Sequence, residues 1–316
     1  MLKRLLWLAL GLAFSSLGWA ACETVDQEAL TWLNRMSHSL RETSYQGVFT
    51  YQHGASIQSM RIKHSVRGNI ESEEVTRLSG TATRVIRTEH PLDCIHPGHR
   101  LLRVGKMYAD STDNCGIAAY YRLKLGGQLR VAGREAMLLH ILPRDMYRYG
   151  YQMALDTATG LLLKTQTLAQ DGKVLERFQF ADLQVGEVEG EGTQVDVLHT
   201  ASHPGHGSAA KPANASPYDW NVRWVPDGFE LTAGASVSAH DKTYTDGLAL
   251  FSVFLEIMPE MARPGEGRAR QGGTTAYTRG MAVAGKPVLI TILGEVPINT
   301  ARMVADSVQW SDAGAD

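Results

Sequence analysis

The chain has 316 residues, 44% apolar and 20% charged, with a formal net charge of −2. That balance excludes a disordered polypeptide, a small disulfide knot and a strongly basic nucleic-acid binder. The length exceeds the usual size of one domain, so two are expected.

The chain opens with Lys3 and Arg4 ahead of an apolar run from Leu5 to Trp19, shorter than the roughly 20 residues of a spanning helix. With Gly18-Trp19-Ala20 behind it, the segment 1–21 reads as an export signal, so the mature protein is expected outside the cytoplasm. Its removal takes Lys+Arg from 31 to 29 against 33 acids, a net charge of about −4 that selects no partner by its field. Of the three cysteines, Cys94 and Cys115 are natural disulfide partners in an oxidising compartment. Such a bridge is typically worth about 2–4 kcal/mol and is structural, since no C-x-x-C is present. Cys22 stands where a lipoprotein box would put its cysteine, but Trp19 replaces the expected aliphatic residue, which favours a soluble form.

Thr24-Val25-Asp26-Gln27 reads as a capping box for an amphipathic helix from about Asp26 to Arg41, with Ala29, Leu30, Leu33, Met36 and Leu40 at helical spacing. The period then becomes two. Phe49 and Tyr51, and then Met60, Ile62 and Val66, alternate with polar neighbours as half-buried strands. Further strands are expected over 70–78, 83–88, 117–125 and 131–142, the last bent at Gly133. A three-stranded meander follows over 149–155, 161–169 and 174–183, with turns at Thr159-Gly160 and Asp171-Gly172. One helix with so many consecutive strands points to a large, strongly curved antiparallel sheet.

From 199 to 217 the composition turns to His, Gly, Ser, Ala and Pro, which marks a linker between a domain over 22–198 and one over 218–316. The second domain is expected to hold strands near 230–239, 248–257, 274–283 and 288–294. A closing helix over about 298–308 places Ile298, Ala301, Val304, Ala305 and Val308 on one face.

No convincing catalytic set emerges. Ser208-Ala-Ala-Lys211 matches an S-x-x-K pattern but lies in the linker, where no oxyanion donors can be held in register. His199, His203 and His206, or His96 and His99 beside the cysteines, lack clean metal-ligand spacing. Asp110 with Asp113, and Glu73 with Glu74, read as solvated charges rather than an acid-base pair. No cofactor, metal or nucleic acid is expected, and weight moves to binding.

The positive signal is a curved sheet with one apolar face. Phe49, Tyr51, Met60, Ile62, Tyr121, Leu123, Tyr149, Tyr151, Met153, Phe178 and Phe180 are candidates to line it. The same residues also fit an ordinary core. A sheet that curves without closing, plugged by one helix, can leave an apolar cavity suited to acyl chains. Arg61, Lys63, Arg67, Arg84, Arg87, Arg100 and Arg103 are then candidates for a basic rim facing lipid phosphates, or a solubilising strand face.

The C-terminal residues add a resemblance. Trp224-Val-Pro-Asp-Gly-Phe229, Tyr244-Thr-Asp-Gly-Leu248 leading into Phe251-Ser-Val253, and Gly294-Glu-Val-Pro-Ile-Asn-Thr-Ala-Arg302 before Val308-Gln-Trp310 resemble the C-terminal domain of the RseB/MucB family. Tyr45-Gln-Gly-Val-Phe49 and Arg61-Ile-Lys-His64 agree in the N-terminal half. The resemblance implies a mainly β (α+β) fold. Its large domain would be a half-open antiparallel barrel like the lipoprotein carriers, with helical cover, and its smaller domain an antiparallel sheet with a packed C-terminal helix. It implies a periplasmic negative regulator of an envelope-stress sigma factor, without enzymatic activity. The partner would be the periplasmic segment of a membrane-spanning anti-sigma factor, shielded from regulated proteolysis until lipopolysaccharide or another acyl lipid releases it. Homodimers or larger forms are also implied. The expected peptide site is the cleft between domains, with Tyr244, Phe251 and Phe254 as contacts, while Pro226, Gly228, Asp246 and Gly247 read as turn-formers. The competing classes are a lipid or lipoprotein carrier without a regulatory role, and an envelope hydrolase, for which no nucleophile presents itself.

Overall fold

The computed structural model describes residues 26–68, 70–80, 84–91, 116–186, 219–232, 240–259, 265–283 and 286–311. The export segment, Cys22, Cys94, Cys115, Arg100, Arg103, the linker and its histidines, and Ser208 with Lys211 lie outside them. Helix α1 (Gln27–Glu42) starts where Asp26, in extended conformation, accepts a 3.0 Å hydrogen bond from the Ala29 N–H. The cap is therefore Asp26 rather than Thr24, and it satisfies one of the amides that a helix start leaves open. Ala29, Leu33, Met36 and Leu40 are buried on one stripe, as their spacing requires.

Nine strands form one antiparallel sheet. They are β1 (Tyr45–His53), β2 (Ser56–Arg67), β3 (Ile70–Arg77), β4 (Arg84–Pro91), β5 (Tyr121–Val131), β6 (Arg134–Pro143), β7 (Gly150–Asp156), β8 (Leu162–Leu168) and β9 (Val174–Val185). Their order is β4-β3-β2-β1-β9-β8-β7-β6-β5, so two meanders meet where β1 pairs with β9, and among the described residues β4 and β5 are not paired. The inward rows of these strands and the apolar stripe of α1 form one core.

The expected strand over 117–125 is corrected at its start. Gly116–Ala119 is a 3-10 turn in which the adjacent Ile117 and Ala118 are both buried, which a strand with alternating faces cannot achieve. β5 instead runs on through Gly126-Gly127 to Val131, with a register shift between Leu125 and Gln128. The bend expected at Gly133 is the β5–β6 hairpin turn: Ala132 and Gly133 both have positive φ, 50° and 75°, the pattern that reverses two twisted strands most tightly.

The second sheet has six strands in the order β11-β12-β13-β16-β15-β14. These are β11 (Glu230–Leu231), β12 (Asp241–Thr245), β13 (Leu250–Ile257), β14 (Glu266–Gln271), β15 (Thr274–Val283) and β16 (Lys286–Gly294). Helix α2 (Ile298–Asp306) buries Thr300, Ala301, Val304 and Ala305 against β15 and β16. Val308, expected inside that helix, begins β17 (Val308–Ser311), which pairs with β10 (Asp219–Val222). Of the strand expected over 230–239, the described part is β11, and residues 233–239 lie outside the described set.

Candidate functional site

Three short junctions hold the two sheets together, and the first is built around a fully buried cation. Between β6 and β7 the segment Arg144-Asp145-Met146-Tyr147-Arg148 turns the chain, and Arg148 has no exposed surface. A guanidinium in that position costs several kcal/mol unless every donor is used. Arg148 donates Nε to Asp145 Oδ1 at 3.2 Å, Nη1 to Asp246 Oδ2 at 3.0 Å and Nη2 to the Asp227 carbonyl at 2.6 Å. Its flat faces lie 5.1 Å from the Tyr120 ring centre, 5.4 Å from Tyr121 and 5.2 Å from Phe229, where ring quadrupoles favour the positive charge.

Asp246 serves both domains. Oδ1 accepts from the N–H of Leu248 at 3.0 Å and of Ala249 at 2.8 Å, closing the turn before β13. Oδ2 accepts from Arg148 and from the Tyr121 hydroxyl at 2.8 Å. Burial raises the Asp246 carboxyl above the ordinary range, although Arg148, these two amides and Tyr121 all pull it down. The Tyr121 hydroxyl is pushed well up, first by burial and then by the Asp246 charge. Gly228, at φ 87°, completes the junction, because a Cβ there would overlap the Tyr120 ring.

At the second junction the β14–β15 turn lies against the end of the large sheet. Gly273 donates its N–H to Glu176 Oε1 at 3.0 Å, and the His53 ring contacts the Gln271 carbonyl. A Cβ on Gly272 would overlap His53 and Glu176. The third joins α2 to the β6–β7 segment: Thr300 donates to the Tyr147 carbonyl at 3.0 Å, and Tyr147 meets Trp224 edge-on at 5.2 Å.

The candidate apolar lining lies on the inward face of the large sheet. Phe49, Ile62, Tyr121, Leu123, Tyr151, Met153, Phe178 and Phe180 are buried there in one core with the apolar stripe of α1, and Tyr51 and Met60 are partly buried beside them. Phe178 and Phe180 pack together at 5.1 Å and both reach Phe49. The basic candidates Arg61, Lys63 and Arg67 alternate with Ile62, His64 and Val66, so they point from the opposite face. Arg61 and Lys63 border an open groove there with Gln46, Val48, Asp182 and Gln184. Arg84 and Arg87 lie on β4 in register with Thr76 and Glu73.

In the second domain Tyr244 and Phe251 stack at 5.4 Å inside the core. Phe254 is on the other face of β13 and 40% exposed, so of the three it is the one with surface to offer. Sequence reading did not single out Arg148 or Asp145, and it gave Tyr120 and Asp227 no part in a site. The available signal was a charged Arg-Asp-x-x-Arg between two apolar strands.

Together these features define a protein whose two large sheets are fixed in one arrangement by a buried ionic junction. Residues 28–203 match the MucB/RseB N-terminal domain and residues 214–309 the MucB/RseB C-terminal domain; the chain belongs to the MucB/RseB family. The sigma factor AlgU regulatory protein MucB of Pseudomonas aeruginosa is 34% identical over 296 residues, covering 90% of this chain and 92% of its own length. The solved MucA/MucB complex of Pseudomonas aeruginosa contains a chain 32% identical with a TM-score of 0.70, covering 90% of this chain and all of that one. MucB solved alone matches with 32% identity and a TM-score of 0.63, covering 90% of this chain and 98% of its own.

Proposed function

We propose that this chain is a periplasmic negative regulator of an envelope-stress sigma factor. It binds the periplasmic segment of a membrane-spanning anti-sigma factor and shields that segment from regulated proteolysis. The observation that carries this reading is the match, over nine-tenths of the chain, to a relative solved together with MucA. Phe254 and the surfaces beside the junctions are the proposed contacts.

Lipopolysaccharide or another acyl lipid is the proposed releasing ligand. Its chains would enter the apolar face of the large sheet after α1 lifts, since the apolar stripe of that helix belongs to the same buried core as Phe49, Phe178 and Phe180. A lipid displaces the partner only by the difference in its affinity for the two arrangements, and a tenfold effect needs about 1.4 kcal/mol, roughly two buried methylenes. The test is cleavage of the purified anti-sigma segment by its periplasmic protease, with and without the mature chain. Cleavage is expected to slow with the chain present and to recover on adding lipopolysaccharide. Equal rates with and without the chain overturn the regulatory reading; persistent protection in excess lipid overturns the trigger.

A further inference from the structure

β14 is the last strand of the six-stranded sheet, and among the described residues it pairs with β15 alone. The ladder is unbroken from Glu266 opposite Arg279 to Gln271 opposite Thr274. The Gly280 N–H donates to the Gly265 carbonyl at 2.9 Å. In an antiparallel pair the hydrogen-bonded positions alternate, so they fall on Gly267, Ala269 and Gln271. The N–H and C=O groups of Glu266, Arg268 and Arg270 therefore point away from β15, along the open edge.

The side chains of that edge have two distinct faces. Arg268 is in register with Tyr277 and Arg270 with Thr275, on the face that carries α2. Arg302 of α2 stands close enough to Tyr277 to act on its hydroxyl, and Glu266 is hydrogen-bonded there. Arg279 is paired with Asp306; Arg268, Arg270 and Arg302 are exposed and have no such partner among the described residues. On the other face Gly267 and Ala269 are small, and the Ala269–Ala276 row continues to Leu293, itself 38% exposed.

We infer that β14 is a docking edge for an extended segment of a partner protein with acidic side chains at alternate positions and apolar ones between them. Such a segment adds as a further strand, pairs the free backbone groups, sets its carboxylates beside Arg268, Arg270 and Arg302, and extends the Ala269–Leu293 row. A second copy of this chain is disfavoured at the same edge, because it would bring Arg268 and Arg270 against their own counterparts. The inference goes beyond the regulatory reading and does not depend on it.

The probe is a fluorescein-labelled octapeptide of alternating Glu and Val, titrated against the full mature chain by anisotropy beside its Lys-Val counterpart. The Glu-Val peptide is expected to bind at least about tenfold more tightly, with the margin shrinking as salt is added. R268Q should weaken binding by its lost charge. R268P should weaken it further, since it also removes an outward N–H that the β15 ladder does not use. N-methylation of the peptide at alternate residues repeats the backbone test without altering the protein. Equal binding of the two peptides, no binding of either, or indifference to both R268P and N-methylation would overturn the proposal. So would self-association that R268P abolishes, which would give the edge to a second copy.

Discussion

A guanidinium without exposed surface is tolerable only while its carboxylate partners remain beside it. In R148M the side chain keeps its length but leaves the Asp246 carboxylate buried with Tyr121 and two backbone amides. Breaking one side of such a pair costs about 3–5 kcal/mol, and urea unfolding should show a loss of that order. Adding D246L to R148M should restore part of it, since the stranded charge is then gone. A loss below about 1 kcal/mol for R148M would mean that water reaches the junction. Asp246 also marks how far reading by residue type can go. Its role as a turn-former is visible in Tyr244-Thr-Asp-Gly-Leu248, because Oδ1 binds amides only two and three positions ahead. Its partner Arg148 is 98 positions away in the chain, and no local pattern connects them.

At the scale of elements, α1 is held on the sheet by the β7–β8 turn. Arg35 donates to the Ala158 carbonyl at 2.5 Å, and Ser39 donates to that of Thr159. The turn is itself ordered by Asp156, which accepts from Arg134 at 3.0 and 2.9 Å and from the Thr159 hydroxyl at 2.6 Å. Burial pushes the Asp156 carboxyl up, but the bonds from Arg134 and Thr159 outweigh it and hold the group below its ordinary range. A depressed carboxyl stabilises the fold above the unfolded pKa of about 4 and loses that contribution as pH falls through it toward the folded value. Asp246, raised by burial, has the opposite sign: its contribution is present below about pH 4 and fades as pH rises through its folded pKa. D156N should therefore cost about 1–3 kcal/mol at neutral pH and flatten the acid limb of the stability curve, as read from urea midpoints between pH 7 and 3. An unchanged acid limb would assign that limb to other carboxylates. The elements legible beforehand were α1, the strands β1 to β4, the β7–β9 meander, β13, β15, β16 and α2. β12 and β14 escaped because edge-proximal strands bury little. Asp241–Thr245 buries only Tyr244, and five of the six β14 residues are exposed.

For the whole molecule, the arrangement of the two sheets depends on close approach at Gly228. In G228A a Cβ meets the Tyr120 ring at a positive φ of 87°, so the two surfaces must part or the turn must distort. Each core should survive, because Gly228 belongs to neither, yet the junction should loosen. Small-angle scattering is expected to give a larger radius of gyration for G228A than for the parent, with far-ultraviolet circular dichroism unchanged. Protection of the anti-sigma segment should fall in parallel. A variant with unchanged dimensions and reduced protection would separate domain arrangement from binding.

The sequence alone supports reading 1–21 as an export signal, and it determined two predominantly β domains and the helix that packs on each, because binary patterning and local capping act between neighbours a few positions apart. The resemblance carried in Trp224–Phe229 and Tyr244–Leu248 then pointed to the family. Only the tertiary structure decided that β1 pairs with β9, that β4 and β5 are not paired among the described residues, and that Arg148 lies between Asp145 and Asp246. Those outcomes depend on groups brought together across a hundred or more residues of chain or across two domains. Their selection rests on the cost of leaving a buried charge or strand edge unpaired, which appears only once both partners have a place in space.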